Sequence, residues 1–179
     1  MNENFINTQS GIFAMYAQIT QFKKMLHTLS RLLDKAQQHA EANNFEPEVL
    51  LNSRLSPDML PLTNQVQMAC DTAVLAAAVL TGEKVPGFEN TEKTIPELKA
   101  RIEKTIGYVA SMKESDFAGW EERIVAPEGW AGAFFGKDYF YQHAVPNFYF
   151  HVVTAYAILR HKDVRIGKMD YIGQLPFLR

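Results

Sequence analysis

Two stretches of this sequence hold most of the residues that could do chemistry inside a fold. In the first, Gln67 and Asp71 stand four apart in a segment, Met59 to Thr81, whose only charged residue is Asp71. In the second, Asn147, His151 and Thr154 recur at helical spacing in a run from Pro146 with no formal charge before Arg160. Residues four or seven apart on a helix share one face. If the two faces oppose each other, Asp71 and His151 meet between helices, where bundles build their metal and ligand sites. Two readings follow. In one, the two residues are a structural pair, the imidazole answering a carboxylate that burial would otherwise neutralise. In the other, Gln67, Asp71, Asn147 and His151 form the floor of a small-molecule pocket. Its metal version has His151 and Asp71 ligating a divalent transition metal (Zn, Ni or Mn). Water then fills an open position, and Asn147 or Gln67 orients it for transferase or hydrolase chemistry.

Other reactive residues point less clearly to a site. His143 lies eight residues before His151 with Pro146 between them, which predicts a position just ahead of the helix, in a loop. His27, His39 and His161 show no ligand spacing. The lone cysteine, Cys70, lies in an Ala-rich stretch without a neighbouring His, Lys or Arg. A reactive thiolate needs an electropositive setting, so Cys70 reads as a buried structural thiol. No HExxH, CxxC, GxSxG, phosphate-binding loop or dinucleotide fingerprint is present, so no motif names a reaction.

The elements that must position these residues read as helices. Met15, Ile19, Phe22, Leu26, Leu29, Leu33, Ala36 and Ala40 follow one another at alternating steps of four and three. That is a heptad seam, and Ile12, Tyr16, Met25 and Leu32 widen it into a bundle face. Asn43-Asn44 stops this helix, and a short turn is expected over Glu46 to Leu51. Ser56-Pro57-Asp58 reads as the start of a second helix and Gly82 as its end. Its poverty in charge makes it central. Glu83 to Lys93 is long for a hairpin between neighbouring helices, so a crossing link is expected. Thr94 to Glu97 resembles a capping box opening a third helix, whose outer face is Lys99, Arg101, Glu103 and Lys104. Arg123 to Ala126 and Trp130 to Phe135 flank Pro127-Glu128-Gly129 as a small β-hairpin. The aromatics of this region, Trp120, Trp130, Phe134 and Phe135, serve either as a satellite core or as a lid over one end of the bundle. A fourth helix starts near Pro146, and the tail from Asp163 to Arg179 reads as extended. The fold class is therefore all-α: one four-helix-bundle domain over residues 1–179.

Composition bounds the rest. The chain has 179 residues, is 47% hydrophobic and carries a formal net charge of −2. Such a small charge argues against nucleic acid or an anionic membrane as partner. Met1 to Ser10 lacks the apolar core of a secretory signal, and no apolar run is long enough for a membrane span. The cytoplasm is the expected location, and the single cysteine agrees with a reducing compartment.

The run Pro146 to His161 (PNFYFHVVTAYAILRH), Ile166 to Tyr171, Leu51 to Met59 and Gln65-Val66-Gln67 resemble an uncharacterised bacterial branch of the DinB/YfiT-like superfamily. The resemblance covers nearly the whole chain. It implies a four-helix bundle with a crossing link between the second and third helices, and a homodimer. It also implies a metal held by three histidines, one on the second helix and an HxxxH pair on the fourth. Some such proteins are thiol-dependent transferases or isomerases. In this sequence Asn147 takes the first place of HxxxH, and the second helix has Gln67 or Asp71 nearest its ligand position. Only His151 carries over. The contrasting expectation is a non-catalytic, metal-free bundle acting as a dimeric binding or structural protein.

Overall fold

The computed structural model describes residues 3–176, with side chains described from residue 11 onward. Met1, Asn2 and Phe177 to Arg179, which belong to the N-terminal and tail readings above, lie outside the described residues. The chain forms α1 (Glu3–Ala42), α2 (Glu48–Leu51), α3 (Leu62–Thr81), α4 (Ile95–Ser111), α5 (Gly136–Asp138), α6 (Val145–His161) and α7 (Lys168–Ile172). A two-stranded antiparallel hairpin, β1 (Ile124–Val125) and β2 (Phe134–Phe135), stands before α5, with Ile124 opposite Phe135 and Val125 opposite Phe134.

The seam of α1 is the core. Met15, Ile19, Phe22, Leu26, Leu29, Leu33, Ala36 and Ala40 are all at most 1% exposed. Asn44, with a positive φ of 57°, turns the chain out of this helix. Along α3 the small side chains Ala69, Ala73, Ala76 and Ala77 are fully buried, so neighbouring helices approach its backbone closely. Gly82 closes α3 in the left-handed conformation its missing Cβ favours. The capping box of α4 is present: the Thr94 hydroxyl accepts from the Glu97 amide, and the Glu97 carboxylate accepts from the Thr94 amide.

Contacts set the directions of the four long helices. The Tyr16 hydroxyl bonds the Met112 carbonyl while Asp34 pairs with Lys99, so α1 and α4 are antiparallel. Asp71 pairs with Arg101, and Glu83 just past the end of α3 acts on Tyr108 farther along α4, so numbers rise together and α4 runs parallel to α3. Two parallel neighbours cannot be joined by a hairpin. The extended segment 83–93 must cross back along the bundle, as its length predicts. Gln65 reaches His151 and Thr72 reaches Asn147, which makes α3 and α6 antiparallel.

Three local readings change. α3 starts at Leu62 rather than near Ser56, because Pro61 holds an extended backbone as N-cap (ψ 168°). The tail carries a helical turn, α7, where the Asp170 carboxylate accepts from the Gly167 amide and pairs with Lys35 on α1. The fourth helix, α6, begins at Val145 beside Pro146 as expected, but the segment before it is helical rather than a loop. A π-helical turn over Tyr139–Ala144 joins α5 to α6, so helical backbone runs from Gly136 to His161. Pro146 has no N–H to give the preceding turn, and a π turn absorbs that missing bond without ending the helix.

Candidate functional site

The polar residues of α3 divide between two faces. Gln67 and Asp71 lean toward α4 and the crossing link, whereas Gln65 and Thr72, seven apart, face α6. The Gln67 side-chain amide donates to Glu92 in the link (2.9 Å) and accepts from Asn64 (2.8 Å). Gln67 is buried there, turned away from Asn147 and His151, and does not line the cleft they share with Asp71. Asp71 pairs with Arg101, which also bonds the Glu92 carboxylate at 2.8 Å and the Glu89 carbonyl at 3.0 Å. Arg101 was expected on the outer face of α4. It is 4% exposed instead, because two carboxylates and a carbonyl meet its guanidinium at the link. Burial raises the Asp71 carboxyl above its ordinary range despite Arg101. At Glu92 burial is outweighed by the bonds from Arg101 and Gln67, and its carboxyl is held low. Glu92 is thus the firmly ionised partner of Arg101.

Asp71 and His151 take different partners. His151, 8% exposed, bonds through Nδ1 to Gln65 Oε1 at 2.8 Å. The orientation of that bond follows from its neighbour. Gln65 Nε2 donates to the Leu60 carbonyl at 2.9 Å, and a carbonyl only accepts. Oε1 therefore faces His151, and Nδ1 must carry the proton. Burial lowers the His151 pKa, so the ring is neutral and Nε2 holds a free lone pair. Asn147 is set by the same logic. The Thr72 hydroxyl gives its one proton to the Met68 carbonyl (2.7 Å) and so accepts from Asn147 Nδ2 (2.8 Å), leaving Asn147 Oδ1 free.

His151, Asn147 and Asp71 all line one cleft of about 460 Å³, between α3 and the helical run Gly136–His161. Its other walls are Val85, Pro86 and Phe88 of the crossing link, Trp130 of the hairpin, and Tyr139 and His143 of the π turn. Tyr139, His143, Asn147 and His151 form one stripe at steps of four, which the π turn keeps on the cleft side. His143 therefore belongs to the helix and not to a loop. The ring of Trp130 stands edge-on to His143 at 4.5 Å, and Phe88 lies under Lys104 at 4.2 Å and Arg101 at 5.6 Å. Of the aromatics in this region, Trp120 is buried in the core, Trp130 lines the cleft, and Phe134 and Phe135 are exposed. Cys70 is fully buried and its thiol is pushed up to about 12, which makes it inert at neutral pH. A larger hollow of about 920 Å³ around Lys35, His39 and Arg160 is lined by polar chains, none with a buried unpartnered atom.

The sequence profile of DUF1993, a domain of unknown function, matches residues 15–172. This chain belongs to the DUF1993 family. A DinB family member protein from Shewanella denitrificans, known from its crystal structure, shares the fold of this DUF1993 chain with a TM-score of 0.91. The two are 39% identical over 96% of this chain and 98% of that one. No curated protein matches.

The donors present fit the metal implied by the DinB resemblance poorly. Among the described residues no group of three or more His, Cys, Asp or Glu is gathered to hold an ion. The cleft offers two imidazoles, His143 and His151, one amide oxygen and a carboxylate already paired with Arg101. The two imidazoles stand eight residues apart on one helical run, roughly 12 Å of rise, too far to share an ion. An amide oxygen is a weak ligand for zinc or nickel, and the guanidinium beside Asp71 repels a second cation. Gln65, Thr72 and Tyr139 are the functional side chains that spacing around Asp71 and His151 does not reveal. The one signal was the seven-residue step from Gln65 to Thr72, which places both on the face turned to α6.

Proposed function

We propose that this DinB-like bundle binds a small molecule in the cleft between α3 and α6, with His151 Nε2 accepting a hydrogen bond or a proton from it. The observation that supports this reading is the tautomer. Gln65 holds the Nδ1 proton, so a neutral imidazole presents its lone pair at the cleft, the arrangement a general base or a hydrogen-bond acceptor needs. No nucleophile is offered with it. The Thr72 hydroxyl is spent on the Met68 carbonyl, and Cys70 is buried. Metal-free binding, with at most one proton transferred, is the chemistry these residues support, and a metal-dependent transferase or hydrolase centre is not.

The test is a fragment screen on the whole protein by NMR, following the His151 ring and the Asn147 side-chain amide. Fragments that enter the cleft shift both signals, and His151→Phe abolishes the His151-dependent binding. Absence of any fragment that perturbs either residue overturns the reading. Zn²⁺, Ni²⁺ or Mn²⁺ should leave the Tm unchanged. A rise in Tm that His151→Ala removes would instead restore the metal version.

A further inference from the structure

The wall of the cleft opposite in sequence to His151 holds two polar atoms without a partner. Tyr139 is fully buried, yet its hydroxyl makes no hydrogen bond, and His143 Nδ1 is buried and equally unpartnered. Their rings stack at 5.7 Å with an interplanar angle of 26°. Buried polar groups in native proteins nearly always find partners, so two orphans on one cleft wall call for an explanation. The backbone adds to this, because both residues are carried by the π turn, and such turns recur at functional sites. Burial pushes the Tyr139 hydroxyl up and the His143 ring down, so both are uncharged.

The charges around the cleft narrow what it can admit. No Lys or Arg lines it, and its one formally charged residue is Asp71. A carboxylate or phosphate would find no free cation, because Arg101 beside the cleft is already taken by Asp71 and Glu92. An ammonium would have to displace Arg101, which already answers Asp71. Trp130 and Phe88 supply flat apolar surface, and a volume of about 460 Å³ suits a molecule of one or two rings. At one end, Asn147 Oδ1 and His151 Nε2 both accept. Toward the other, the Tyr139 hydroxyl is left to donate.

Resting on the reading of the cleft as a small-molecule site, we propose that its ligand is an uncharged aromatic or heteroaromatic molecule. It carries an O–H or N–H toward Asn147 and His151, and an acceptor toward Tyr139. Tyr139 and His143 are then a second polar subsite, filled by the ligand and by no part of the chain itself.

Three compounds of one size test the class: para-hydroxybenzamide, para-hydroxybenzoate and para-hydroxybenzylamine, titrated into the full chain by calorimetry and NMR. The neutral amide should bind at least tenfold tighter than either charged compound, and shift Trp130, His143 and His151 together. Tyr139→Phe should weaken the amide about tenfold, one hydrogen bond's worth. It should leave the Tm unchanged or raised, since it deletes an orphan hydroxyl. Equal or tighter binding of either charged compound overturns the proposed class while leaving the cleft as a binding site. So does an unaltered affinity in Tyr139→Phe. If fragments of other kinds enter the cleft and none of these three does, the class falls alone. If nothing enters, class and site fall together.

Discussion

Replacing Arg101 with Met removes the guanidinium that Asp71 and Glu92 share. The side chain of Arg101 is 2% exposed, against 35% for Asp71 and 13% for Glu92. Taking one partner from a buried ion pair costs about 3–5 kcal/mol, because the remaining charge is stranded. Asp71 is partly solvated and its carboxyl already raised, so it escapes by taking up a proton. Glu92 loses in Arg101 the chief group that holds it low, so its burial is then opposed only by Gln67 and a backbone bond and its carboxyl rises as well. The loss should therefore lie near the lower bound, about 3 kcal/mol at neutral pH. For a domain of this size that is a fall in Tm of roughly 6–12 °C. The link loses its anchors as well, since Arg101 also holds the Glu89 carbonyl and lies over Phe88. Urea melts at pH 7 and at pH 4.5 give the measure. At the lower pH the stranded carboxylates are closer to protonation and the deficit should shrink. Adding Glu92→Gln to Arg101→Met should recover part of it at pH 7. A deficit under about 1 kcal/mol at pH 7, the range of an exposed ion pair, would refute this account of the triad. A deficit that does not change with pH would refute it too.

Gly136→Ala should be strongly destabilising, or fail to fold, because an added Cβ would lie 1.9 Å from the Trp120 carbonyl oxygen; a normal Tm would contradict that packing. Gln65→Leu strands the His151 Nδ1 proton and should cost about 1–3 kcal/mol, while Gln65→Leu with His151→Phe should cost less than the sum of the single changes. A double-mutant cycle in denaturant measures that coupling, and additive losses would remove the pair. Burial lowers the His151 pKa in the folded chain, so between that value and 6.5 the unfolded chain binds more protons. Stability should rise with pH across this window and level off above it, and His151→Gln should flatten the rise in urea melts. We also propose a homodimer using Phe150 (53% exposed) and Val153 (46% exposed) on the outer face of α6. Sedimentation should give about twice the 20.3 kDa chain mass, and a monomer at micromolar concentration would remove the claim.

Local pattern and chain chemistry by themselves determined the four long helices, the stop at Asn44, the αL cap at Gly82, the capping box at Thr94 and the crossing link. Each of these depends on a residue and its near neighbours. Helical period shows which side chains share a face, and 83–93 was too long for a hairpin. The same period brought Asn147 and His151 to one face, and it placed the lone Cys70 in an apolar setting. Which face meets which neighbour was decided only in three dimensions. Asp71 and His151 both border the cleft, yet α4 presents Arg101 to Asp71 and α3 presents Gln65 to His151. A 3.6-residue period cannot separate faces one step apart when both are buried. Arg101 looked like a surface cation because its neighbours in sequence are charged, and its partners lie nine, twelve and thirty residues away along the chain. His143 looked like a loop residue because Pro146 ends most helices. Here a π turn, whose Phe140 and Tyr141 pack against Trp120, carries the helix past the missing donor and brings Tyr139 and His143 to the cleft wall.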